Sequence, residues 1–146
     1  MITLEVNTAL LKLKQVSNRP YVFDVIRKKW VLLTPEEHVR QHVIHHLTTV
    51  LNYPSALIAV ERKILVGKLA KRFDIVVFDR NHKPWMLIEC KEPAVDINEK
   101  TLYQLISYHS AIPCKYWLLS NGHQNFCAEV SEQGTVQWRD SLPVYG

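Results

Sequence analysis

Two short apolar runs joined by a polar turn constrain this chain more than any other feature. Phe73–Phe78 (FDIVVF) and Trp85–Lys91 (WMLIECK) flank Asp79-Arg80-Asn81-His82-Lys83-Pro84, a turn of hairpin length. Both runs are apolar on alternate and intervening positions, the pattern of central strands covered on both faces. Charge enters them only at Asp74, Glu89 and Lys91. Side chains alternate along a strand, so Glu89 and Lys91 share one face and Cys90 points to the other. Antiparallel pairing through the turn carries the start of the first run towards the end of the second. Two carboxylates and an ammonium therefore converge at one edge of an apolar sheet. Burying them costs several kcal/mol unless they are paired or bound to metal.

The surrounding sequence supplies the layers such a sheet needs. Thr34-Pro35-Glu36-Glu37 reads as a helix start, with Thr34 as cap, Pro35 at the first helical position and Glu37 as the capping-box acid. Val39, Val43, Leu47 and Val50 continue at helical spacing to about Asn52, before Tyr53-Pro54. Ala56–Lys63 reads as a strand. Asp96-x-x-Glu99 reads as a capping box opening a second helix that ends before Pro113. Lys115–Ser120 is a further strand, and Phe126–Val130 with Thr135–Trp138 form a closing hairpin. The order α-β-β-β-α-β plus a C-terminal β-hairpin predicts an α/β fold, a mixed central sheet flanked by helices. Residues 1–33 read as an arm or hairpin packed on a single domain spanning 34–146.

Composition excludes several classes. The 146 residues suit one core; 47% are hydrophobic and 22% charged, as in ordinary globular chains. No apolar run approaches the roughly 20 residues of a membrane span, and no basic start leads into an apolar stretch, so a cytoplasmic location without membrane association is expected. Cys90, Cys114 and Cys127 lack zinc spacing and read as buried thiols. His42, His45 and His46 read as ordinary helix positions. Neither GxxxxGK[ST] nor GxGxxG occurs. The net charge of +4 suits a polyanionic partner. Arg27-Lys28-Lys29, Lys63, Lys68, Lys71-Arg72 and Lys83 are the candidate phosphate contacts, Lys71 and Arg72 foremost because they precede Asp74. Tyr103, Trp85 and Trp117 read as core.

Two carboxylates at short range make a hard oxygen site suited to Mg²⁺, with Mn²⁺ as substitute. Asp74 and Glu89 are the expected metal ligands, and the backbone carbonyl of Cys90 is a third oxygen. Lys91 beside them orients or deprotonates a water, or neutralises phosphate charge. The expected reaction is attack of water on a phosphodiester. A salt-bridged structural triad is the competing reading.

Asp74 followed by Glu89-Cys90-Lys91 resembles the D…ExK signature of the PD-(D/E)xK nuclease superfamily. Thr34–Gln41 (TPEEHVRQ), Lys71–Val77 (KRFDIVV), Ile88–Lys91 (IECK) and Asn121-Gly122 together resemble the N-terminal nuclease domain of type I restriction enzyme R subunits, in a small stand-alone form. The resemblance implies a restriction-endonuclease-like core and DNA hydrolysis. It also implies a carboxylate on the first helix that reaches the metal. Glu36 falls in the middle of the apolar stripe, whereas Glu37 lies about 100° away, so Glu36 is preferred over Glu37. Arg40 and Gln41, one turn on, either support the site or solvate the helix. Gln104 and Tyr108, four apart on one helix face, match the QxxxY element of some family members. They contact the site or DNA, or else form a helix-surface pair with Tyr108 packed against the sheet. No motor motif occurs in the chain, so a separate motor or specificity protein, or a homodimer, is the expected partner. The alternative function is a non-catalytic nucleic-acid-binding or assembly module that retains the nuclease fold.

Overall fold

The computed structural model describes residues 2–4 and 11–146. Three strands open it, β1 (Leu13–Val16), β2 (Arg19–Asp24) and β3 (Lys29–Leu32), in an antiparallel sheet of that order. Helix α1 (Pro35–His45) follows and continues as a π-helical segment over His46–Val50. The second sheet contains β4 (Ile58–Val66), β5 (Leu69–Phe78), β6 (Pro84–Cys90), β7 (Tyr116–Ser120), β8 (Asn125–Val130) and β9 (Val136–Arg139), adjacent in that order. All pairs are antiparallel except β6 and β7, which run parallel because helix α2 (Glu99–Tyr108) carries the chain across between them. The mixed α/β architecture matches the one expected from the order of elements.

The doubly apolar runs are buried on both faces. Ile75, Val77, Met86, Ile88, Cys90 and Leu118 pack on the α1 side with Val39, Val43, Ile44 and Leu47. Val76, Leu87, Trp117 and Leu119 pack on the α2 side with Leu102 and Ile106. The three thiols are free and buried. Tyr103 departs from the core reading: it is half exposed on α2.

Both helix starts differ in detail from the sequence reading. Thr34 accepts from the Glu37 amide at 3.1 Å, but the Glu37 side chain does not return to the cap. It is taken by Arg27, Arg40 and Gln41, whose charge and N–H donors outcompete one backbone amide. At α2 the cap is Asn98, paired reciprocally with Thr101, and not Asp96 with Glu99. The helix ends at Tyr108, before Pro113 as expected.

The amino-terminal sheet is tied to α1 through charge. Asp24 is fully buried and accepts from the amides of Ile26 and Arg27, from Arg27 Nε at 2.7 Å and from Gln41 Nε2 at 2.9 Å. Burial pushes its pKa up, but these hydrogen bonds outweigh that and hold it below the ordinary 3.8. The stability it contributes is therefore present above pH 3.8 and lost as pH falls through its lowered value. Asp24→Ala is expected to lower the unfolding free energy by about 3 kcal/mol near neutrality. In urea melts the gap from the wild-type chain should close as pH drops below 3.8.

Candidate active site

The site forms where β5 and β6 part company. Their register pairs Ile75 with Ile88 and ends there. Beyond it, the Asp74 carboxylate replaces the next backbone acceptor: Oδ2 takes the Cys90 amide at 2.7 Å. Asp74 is irregular towards β4 as well. Val60 pairs with Ile75 and Arg62 with Phe73, while Glu61, opposite Asp74, drops out of the ladder with φ +51°. Facing changes at this step, since Phe73 packs on the α2 side and Ile75 on the α1 side. The distortion turns Asp74 towards α1, where Arg40 Nη2 donates to Oδ1 at 2.9 Å.

Arg40 is the hub of the charges. Its Nη1 also donates to Glu37 at 2.9 Å and lies 3.4 Å from Glu61, and Nη2 lies 3.6 Å from Glu36. Arg27 bridges the outer part, 2.7 Å from both Asp24 and Glu37 and 3.7 Å from Glu61. A chain of alternating charge thus runs from β2 through α1 to Asp74. Arg27 is accordingly an internal tie between β2 and α1; the sequence reading had grouped it with the phosphate contacts.

Glu89 is the penultimate residue of β6, with its side chain 22% exposed and Lys91 Nζ 3.6 Å away. Burial, then the negative charge of Asp74, push its pKa up to about 7, and the opposing pull of Lys91 does not cancel them. Glu36 adds to the rise. Positions 74, 89 and 91 therefore share one neighbourhood, with Glu36 beside it. The two helix glutamates part ways: Glu36 has a side chain 48% exposed and acts on Glu89, while Glu37 is 8% exposed and held between Arg27 and Arg40. Gln41 is buried and donates to Asp24 and Glu37, not to the carboxylates at the sheet edge.

The other sequence candidates are scattered. Tyr108 is 72% exposed, which overturns its packing against the sheet, and Lys71 Nζ stands 4.8 Å over its ring. Gln104 and Arg72 are exposed. Asp24, Arg27 and Glu61 were missed as members of the charge network. Asp24 gave one signal, a lone carboxylate inside the apolar run Val22–Ile26; Glu61 gave none, because its contacts depend on a positive-φ backbone.

Among the described residues no three His, Cys, Asp or Glu side chains form a metal-holding group. The donor set at the sheet edge is smaller and all oxygen, Asp74 and Glu89. That suits Mg²⁺, which takes one or two carboxylates and keeps its waters. An elevated Glu89 beside Asp74 is also the signature of a carboxylate pair short of positive charge.

The structure thus defines a mixed α/β domain with a desolvated acidic pair and a lysine at the edge of its central sheet. Residues 35–143 match the family described as type I restriction enzyme R protein N terminus (HSDR_N), and the chain belongs to that family. No curated protein matches it. Among solved structures it is similar to a DUF820 protein from Anabaena variabilis ATCC 29413 described as a candidate nuclease, at 13% identity and TM-score 0.48, covering 87% of this chain and 80% of that one.

The metal-free protein should report Glu89 directly. Its folded pKa near 7 exceeds the ordinary 4.5, so its contribution is complete below pH 4.5 and lost as pH rises through 7. Glu89→Gln is expected to flatten the decline of melting temperature across that window and to exceed the wild-type melting temperature at pH 8. Parallel wild-type and variant curves would contradict this placement of Glu89.

Proposed function

We propose that the chain is a Mg²⁺-dependent deoxyribonuclease domain, hydrolysing phosphodiester bonds at Asp74, Glu89 and Lys91. The observation that carries this reading is the convergence of Asp74, held by the Cys90 amide and Arg40, with Glu89 and Lys91, whose Nζ lies 3.6 Å from the Glu89 carboxylate; the raised pKa of Glu89 agrees with it. Family membership supports DNA as substrate and a separate motor or specificity subunit as partner. Asp74 and Glu89 would hold the cation, with the Cys90 carbonyl as a further oxygen. When bound, the cation supplies Lewis-acid stabilisation of the phosphate and a more acidic water.

The chain's own groups do the rest. The Cys90 amide and Arg40 hold the Asp74 carboxylate in place from two directions. Arg40 also pairs with Glu37, so one guanidinium ties α1 to the strand that carries Asp74. Lys91, with a side chain 43% exposed, extends from the acidic pair to solvent and can donate to an attacking water or a phosphate oxygen. Glu36 is half exposed beside Glu89 and can accept a hydrogen bond from that water.

Lys91→Ala is expected to reduce Mg²⁺-dependent DNA cleavage at least about a hundredfold. Its melting temperature should hardly move, since a half-exposed ion pair contributes about 1 kcal/mol or less. Undiminished cleavage removes Lys91 from the reaction. Salt-dependent DNA binding that ignores Mg²⁺ and Asp74→Asn, with no cleavage, would instead indicate a non-catalytic binding module.

A further inference from the structure

The strands β4 and β5 outrun the sheet. β4 is an edge strand, and β5 meets β6 only from Ile75 onward. The pairs Arg62–Phe73, Lys63–Arg72, Ile64–Lys71, Leu65–Ala70 and Val66–Leu69 therefore form a two-stranded ribbon with no further strand beside it among the described residues. At about 3.4 Å per residue it projects roughly 15 Å past Asp74. It turns at Gly67, whose φ of +60° suits glycine.

The two faces of the ribbon differ. Ile64 and Val66 lean on the α2-side cluster, and Lys71 covers Tyr108. The opposite face presents Lys63, Arg72, Leu65 and Ala70, all exposed, and Leu65 is 75% exposed. Arg72 lies two residues from Asp74 on the same strand, so this open face leads directly into the candidate active site. Between positions 62 and 72 the ribbon carries Arg62, Lys63, Lys68, Lys71 and Arg72 and no carboxylate. Exposed Leu65 and Leu69 near an edge-strand tip invite aggregation, and the dense positive charge both discourages this and selects a polyanion.

We propose that this ribbon is a recognition arm that enters the major groove of double-stranded DNA, with Lys63 and Arg72 on the flanking phosphates and Leu65 at the tip against base edges. The inference rests on the nuclease reading and adds the surface that would engage the duplex. A two-stranded ribbon fits the major groove of B-form DNA, about 12 Å wide and 8.5 Å deep. Duplex RNA has a deep, narrow major groove that side chains do not enter. A single strand has no groove and offers the arm only charge.

The test is binding in EDTA, with the full chain and three fluorescent probes: a 30-base-pair DNA duplex, its single strand and the matching RNA duplex. The DNA duplex should bind tightest. Lys63→Ser/Arg72→Ser should weaken duplex binding roughly tenfold and make the slope of log K against log salt shallower by about 2, one unit for each lost phosphate contact. Leu65→Ser should weaken duplex binding several-fold with the salt slope unchanged. Unaltered melting temperatures would show that these variants keep the fold. Equal affinity for duplex and single strand, or a slope the double variant leaves unchanged, overturns the arm. The nuclease reading fails separately, on the absence of Mg²⁺-dependent cleavage by the wild-type chain together with DNA binding that ignores Asp74→Asn.

Discussion

The guanidinium of Arg40 is the contact on which the rest of the site depends. It is buried and bridges Glu37 on its own helix to Asp74 on β5. Removing it would leave two carboxylates facing each other in a poorly solvated interior, a more costly state than the loss of one exposed ion pair. The same contact fixes where α1 sits over the sheet edge, and hence where Glu36 stands relative to Glu89. Through Glu37 and Arg27 it extends to Asp24, so the first sheet, the helix and the acidic pair share one electrostatic frame.

Against that frame Glu89 is out of balance. Asp74 has Arg40 and the Cys90 amide; Glu89 has Lys91 at 3.6 Å, a distance too long to offset burial and a neighbouring negative charge. A fold stabilised only for its own sake would gain from an apolar residue here. Local strain follows the same line: the ladder breaks at Glu61 and Asp74, and the facing of β5 changes between Phe73 and Ile75. Irregularity and unbalanced charge coincide at one edge of an otherwise regular sheet, as expected where function and packing compete.

Much of the fold could be read directly from the chain because its cues are local. Apolar runs at Phe73–Phe78 and Trp85–Lys91, the Thr34-Pro35 helix start and the spacing Val39-Val43-Leu47 each depend on neighbours in sequence. The convergence of 74, 89 and 91 was also legible, since one short turn sets it. The charge network was not. Glu37 has the right spacing for a capping box, and only the position of Arg27 and Arg40 in space gives it another partner. Asn98 and Thr101 displaced Asp96 and Glu99 in the same way, with two valid signals two residues apart. For Tyr108 the helix spacing left a site or DNA contact and packing against the sheet both open, and its exposure on the short α2 excludes the second. The β4–β5 ribbon escaped notice because its length follows from where β6 stops, which no residue within 62–72 encodes.

Diffraction from crystals soaked in Mn²⁺, collected to exploit its anomalous scattering, tests the central claim most directly. The account predicts a peak within coordination distance of carboxylate oxygens from both Asp74 and Glu89. A peak elsewhere, or none at saturating Mn²⁺, would contradict it and leave the acidic pair without a hydrolytic role.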